Sequence, residues 1–435
     1  MTEAPAIREP QRLPARTAVA VFLIFAFGYF ISALVRGVTA TLAPLFTIEL
    51  GLTAGDLGLL GGAFFLGFAS TQLPLGTALD RHGPKRVQLM FLAVAVLGSI
   101  AFALAGNFVS LAIARALIGV GVSACLMAPL TAFRRSFDPV AQLRANSWML
   151  MSGSVGMVAS TLPVQWLLPL IGWRGLFWAV AGWLLLSMLA IARFVPADEP
   201  AASGATAAAV DSGYAAIWRH PTFVRLAPMG FFHYGGLIAV QSLWAGPWLV
   251  EVCGRTVPQA AQGLFAINVA MLLSFLAWGS FVPRLYARGW TAQTLIACGA
   301  PVSLAALALA LVLGPQAGAW IWVLFSVGCT VVSLSQPAVG LALPAALAGR
   351  ALSAYNLVIF LGVFTVQWGI GLAIDAFRRL GWPTLSAFRG GFALLEVCCL
   401  LSYVWFLCRP EPDIKIGLSS RNQFLVPKLS VLILQ

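Results

Sequence analysis

The chain has 435 residues, of which 60% are hydrophobic and 9% charged, and its mean hydropathy is +0.92. Soluble domains carry about a quarter charged residues, so this composition excludes a water-soluble fold. The net charge of +12 comes from basic residues dispersed singly through short connections, with no basic stripe, and this argues against a nucleic-acid partner.

Apolar runs of about 20 residues, each able to cross roughly 30 Å of hydrocarbon, recur along the chain, and in lipid each must satisfy its own backbone as a helix. The expected fold class is an all-α membrane protein with twelve transmembrane helices, at 17–48, 57–79, 86–106, 108–133, 145–170, 174–195, 225–250, 261–283, 291–313, 318–345, 351–375 and 388–408. The first run is too long for a signal-peptide core and no convincing small-residue cleavage site follows it, so it reads as a retained span. Ala197 to Gly213, rich in Pro, Ala, Ser, Gly and Asp, has the composition of a flexible linker between two six-helix halves. The expected organisation is a tail over 1–16, a first half over 17–196, a linker over 197–224, a second half over 225–408 and a tail over 409–435 that carries Lys415, Arg421 and Lys428.

Counted by alternate connections, 19 Lys and Arg fall on the side of the N-terminus and 5 on the other, with Arg36 and Arg115 inside spans. The positive-inside rule then places both termini and the linker in the cytoplasm. The halves echo one another. Gly76-x-x-x-Asp80-Arg81 has a counterpart in Gly279-x-x-x-Pro283-Arg284 at an offset of 203, and Val164-Gln165-Trp166 has one in Val366-Gln367-Trp368 at 202, the signature of a duplication. The seven cysteines form no CxxC pair, and three dispersed histidines (His82, His220, His233) indicate no zinc or haem site.

The turn after the second run reads Gly76-Thr-Ala-Leu-Asp80-Arg81-His-Gly83-Pro-Lys85-Arg86. It resembles the loop signature of the major facilitator superfamily, G-x-x-x-D-R-x-G-R-[RK], with Pro84 in place of one basic residue. In that resemblance Gly76 lets helices approach, Gly83 permits a tight turn, and Asp80 with Arg81, Lys85 and Arg86 forms a conformational latch, its partners near Ala351 and at Arg134 or Arg135. The second copy has Pro283 where the acid belongs. Arg115, followed by Gly119 and Gly121, resembles the family's pattern in the fourth helix, where the glycines allow backbone contact and the Arg either faces protein or water or snorkels to the interface. Gly172-Trp173-Arg174 matches a frequent turn of the family, with Trp173 as an interface anchor. The fifth run lacks the Gly-Pro step of drug/proton antiporters.

In the first run, Gly28-Tyr29, Val35-Arg36, Ala40 and Pro44 resemble the organophosphate/phosphate antiporter branch, in which the Arg binds the substrate anion. A guanidinium stays charged, matches a carboxylate or phosphate with a planar fork, and is expensive to hold in a span without a partner. The branch's second Arg, in the seventh helix, is missing. His233, Tyr234, Gln241 and Trp244 stand there instead, which favours a monoanion or zwitterion. The resemblance implies a secondary transporter working by alternating access across the inner membrane, a monomer in the lipid bilayer, with a small-molecule substrate, a coupling ion or counter-substrate and no cofactor. Glu396 is the one acid deep in a span, on the peripheral twelfth helix. Rival readings are a transporter-fold sensor or a proton-coupled efflux protein; a membrane enzyme is weaker, because no clustered acid, base, nucleophile or metal set stands at a membrane face.

Overall fold

A computed structural model describes residues 14–196 and 210–409, and the expected tails and most of the linker lie outside those residues. Among the described residues, ten helices are long and apolar enough to cross a bilayer, and the pair Ala54–Ser70 and Gln72–His82, bent by 44°, makes an eleventh crossing. The twelfth lies within Leu162–Phe194, whose backbone leaves the helical region at Gly172 (φ 65°, ψ 174°). Only glycine adopts that combination readily. The stretch before Gly172 completes the crossing begun by Pro139–Ala159, and the stretch after it starts the next.

The spans are α1 (Ala15–Leu50), α2 (Ala54–Ser70 with Gln72–His82), α3 (Pro84–Leu104), α4 (Phe108–Ser136), α5 (Pro139–Ala159 with 162–171) and α6 (173–194) in the first half. The second half contains α7 (Pro221–Val252), α8 (Val257–Ala287), α9 (Ala292–Leu313), α10 (Ala319–Ala342), α11 (Ala345–Arg379) and α12 (Thr384–Cys408). A short helix, Val210–Arg219, precedes α7, so part of the expected linker is helical and α7 begins at Pro221 rather than 225. Local chemistry sets the helix starts. Thr53 and Asp56 form a reciprocal capping box before α2, Asn107 and Ser110 one before α4, and Pro84 opens α3 directly after Gly83, whose φ of 79° makes the tight turn.

Glycine lets the first half pack at backbone distance. A Cβ on Gly119 of α4 would stand 2.0 Å from the Phe64 carbonyl oxygen of α2, and one on Gly121 would stand 2.2 Å from the Ala95 nitrogen of α3. Arg115, one turn before Gly119, is 1% exposed; it donates to the Val35 carbonyl (2.8 Å) and the Thr39 hydroxyl (2.5 Å) of α1 and lies over the Phe64 ring. It therefore braces α1, α2 and α4 from inside and does not snorkel, because its neighbours on all sides are helices of the same half. Trp173 is likewise buried (4% exposed), and its indole donates to Glu49.

The duplication extends to ion pairs. Glu49 at the end of α1 pairs with Arg174 (2.8 Å), and Glu251 at the end of α7 pairs with Arg378 (2.6 Å), so the acids are offset by 202 residues and the arginines by 204.

The halves meet closely at the end of the bundle remote from the turn between α2 and α3. A Cβ on Gly58 of α2 would stand 2.5 Å from the Gln367 carbonyl oxygen of α11, one on Gly371 would stand 2.3 Å from the Ala54 carbonyl oxygen, and one on Gly246 of α7 would stand 2.6 Å from the Ala40 carbonyl oxygen of α1. There the Asp375 carboxylate of α11 accepts from the Gly55 (2.7 Å) and Ala54 (3.2 Å) N–H groups and so caps α2 across the interface. At the opposite end no atom lies within 4 Å of where a Cβ would stand on Gly76 or Gly349.

Candidate functional site

Arg36 lies on α1 about four turns before the Leu50 end, half-buried, with its guanidinium over the Phe68 ring of α2 at 5.7 Å. Phe68 contacts Phe360 of α11 (4.4 Å between centroids), and Phe360 stacks on Phe65 (6.1 Å), so these rings close the space between the halves beside Arg36. The guanidinium is an electrostatic neighbour of the Tyr234 hydroxyl on α7 and the Cys125 thiol on α4, and Tyr29 of α1 in turn neighbours Tyr234. Among the described residues no hydrogen bond or ion pair engages the Arg36 guanidinium, and its Nε is buried without a partner. A cation without a partner in a low-dielectric setting, beside an aromatic ring and within electrostatic range of a tyrosine, is complementary to an anion.

Of the five residues expected to touch substrate, Tyr234 lies within electrostatic range of Arg36, and the other three have partners elsewhere. His233 is 1% exposed, and its Nδ1 lies 3.1 Å from the Ser402 hydroxyl of α12. Gln241, 8% exposed, donates to Asn268 of α8 (2.7 Å). Trp244 is fully buried, donates to the Gln367 carbonyl (3.0 Å) and packs edge-on to Phe388. The cause is the helix itself. α7 is π-helical over Met229–Tyr234, Val240–Trp244 and Trp248–Val252, and a wider turn shifts every later residue off the 3.6-residue face. Residues that would share a side of a regular helix therefore point to different neighbours.

In the turn expected to act as a latch, Gly83 provides the left-handed backbone, Lys85 donates to the Val195 carbonyl (2.5 Å) and Arg135 donates to the Leu79 carbonyl (3.3 Å). Asp80, Arg81 and Arg86 are exposed, and among the described residues Asp80 forms no ion pair. The space where a Cβ would stand on Gly76 is open in this conformation. The sequence offered no pointer to Phe68 or Phe360, since phenylalanine is the common filler of apolar helices; Asp375 was visible only as an acid near the end of a run. No cluster of three or more His, Cys, Asp or Glu able to hold a metal exists among the described residues.

The family described as Major Facilitator Superfamily matches residues 25–366. The "Probable sulfoacetate transporter SauU" of Cupriavidus necator is 27% identical over 60% of this chain and 64% of its own length. The 4-hydroxybenzoate transporter PcaK of Acinetobacter baylyi is 28% identical over 41% of this chain and 38% of its own, and the hexuronate transporter of Bacillus subtilis is 32% identical over 37% and 40%. The chain thus spans less than two thirds of the length of these curated relatives. Among solved structures, a D-xylose-proton symporter superposes with a TM-score of 0.72 at 16% identity, covering 90% of this chain and 98% of its own. A bacterial homologue of the human lysosomal transporter Spinster, inward-facing and unoccupied, gives 0.70 at 19% identity, covering 91% and 97%. At those identities the likeness is one of fold.

Proposed function

The chain belongs to the Major Facilitator Superfamily, and on that premise we propose that it is a secondary transporter carrying a small organic anion or zwitterion across a bacterial inner membrane by alternating access. The observation that carries the reading is Arg36: a guanidinium over the Phe68 ring beside the contact between the halves, its Nε buried without a partner. The named cargoes of the three curated relatives, sulfoacetate, 4-hydroxybenzoate and hexuronate, are all organic anions, which supports the same substrate class. The halves over 17–196 and 225–408 rock about this site. Both termini and the linker face the cytoplasm, in keeping with the 19-to-5 distribution of Lys and Arg, so the closed end of the bundle is periplasmic.

The test is binding of organic acids to the purified protein, found by thermal shift and measured directly. Arg36→Ala should weaken a bound anion by about 100-fold, as expected for loss of a bidentate charge-assisted contact, and Arg36→Lys by about tenfold, since the charge remains and the fork is lost. Wild-type affinity in both variants would overturn the assignment.

A further inference from the structure

Two amide pairs bridge helices of the second half, and they differ in where they sit. Gln241 and Asn268, between α7 and α8, are both buried, as expected of a bond that joins helices in lipid. Gln336 of α10 donates to Asn356 of α11 at 2.6 Å, and both residues are only half-buried. Neither the Gln336 carbonyl nor the Asn356 amide is among the buried polar atoms without a partner, in contrast to the carbonyl oxygens of Gln165 and Gln367.

The position on α11 says which space they reach. Asn356 precedes Phe360 by four residues and Val363 by seven, so the three share a face. Phe360 meets Phe65 and Phe68 of α2, and the Val363 backbone lies against Gly235 of α7. That face looks toward α2 and α7. Asn356 therefore lines the space between the halves, about 6 Å along the axis from the aromatic rings beside Arg36, on the side away from the closed end.

We propose that Gln336 and Asn356 form the distal half of the substrate site and take a hydroxyl group of the anion whose charged end is held by Arg36. The inference rests on the anion-transporter reading. Its chemistry is specific. With one Gln336 N–H committed to the Asn356 carbonyl, the pair presents the Gln336 carbonyl as acceptor beside the Asn356 NH2 as donor. A hydroxyl both donates and accepts and so uses the two together, while a second carboxylate would use only the donor and an ammonium only the acceptor.

The experiment measures equilibrium binding of matched acids to the full chain: 4-hydroxybenzoate against benzoate, and galactonate against hexanoate. The parent protein should prefer the hydroxylated member of a pair by about tenfold in Kd, one well-formed buried hydrogen bond's share. In Asn356→Ala the preference should fall to within about twofold while the plain acid is still bound, which also shows that the variant is folded. Gln336→Ala removes the other partner and should give the same result. A parent without the preference, an undiminished preference in both folded variants, or equal loss of both acids at unchanged melting temperature overturns the proposal. Arg36→Ala separates the two readings. Loss of all acids there with an undiminished preference in the amide variants leaves the anion site standing and removes this one, whereas a parent that binds none of the four acids removes both.

Discussion

Replacing Asp375 by Asn should open the closed face. The carboxylate accepts from two backbone N–H groups of the opposite half, at 2.7 Å and 3.2 Å, and stands at the positive end of α2. Asparagine retains one acceptor oxygen and turns its NH2 toward the other N–H, so one charge-assisted bond is lost and a donor faces a donor. A charge-assisted bond contributes about 1.5–3 kcal/mol, and partial exposure places this one at the lower end. A shift of about 1.5 kcal/mol changes the ratio of closed to open molecules roughly tenfold. Spin labels at Ile48 and Leu380, 81% and 72% exposed at the closed end, report the separation of the halves once the seven native cysteines are replaced. The longer-distance population should grow in Asp375→Asn. An unchanged distance distribution would refute the view that this cap holds the face shut.

Gly58→Ala should act in the same direction, because its Cβ would stand 2.5 Å from the Gln367 carbonyl oxygen and 3.0 Å from the Trp368 Cα, both backbone atoms that cannot swing aside; the same distance measurement checks it. Gly119→Val, by contrast, meets the Phe64 carbonyl oxygen at 2.0 Å within one half, so it should lower the melting temperature and the yield of folded protein without favouring either face. Asp80→Asn should reduce transport turnover more than substrate affinity, since Asp80 is exposed and unpaired by any ion pair among the described residues in this conformation and would act when the other face closes; normal flux at normal expression would leave the turn as a topology signal.

The number of spans was legible because each crossing leaves an apolar run, and even the separation of α5 from α6 was marked by Gly172, where a continuous helix is interrupted. Arg36 was legible for an energetic reason: an intramembrane guanidinium demands a partner. What a one-dimensional pattern does not carry is which side of a helix faces which neighbour. Arg115 lies near one end of its run, a position that also suits snorkelling, yet its guanidinium reaches sideways to Val35 and Thr39. Tyr234 and Gln241 are seven residues apart, which in a regular helix puts them on one side, but the π-helical turns of α7 direct Gln241 to Asn268 and Trp244 to the backbone of α11. Such turns have no residue signature strong enough to read in advance.

The residues at the closed face and those at the site are carried by the same two helices. From its capped end inward, α2 presents Gly55, Gly58, Phe65 and Phe68; α11 presents Asp375, Gly371, Gln367 and Phe360 against them. Separation of the closed face moves these helices apart as rigid rods, so the Asp375 cap and the Phe68–Phe360 contact beside Arg36 must loosen together. A substrate bound to Arg36 on the first half and to side chains of the second half adds a bridge where the rings now touch, and it biases the equilibrium only to the extent that this bridge differs between the two faces. The cation alone, seated on α1, cannot supply that difference, because it moves with its own half. The coupling therefore has to come from what the second half offers the ligand, and in the proposed site that falls to Tyr234 on α7 and the half-buried amides of α10 and α11.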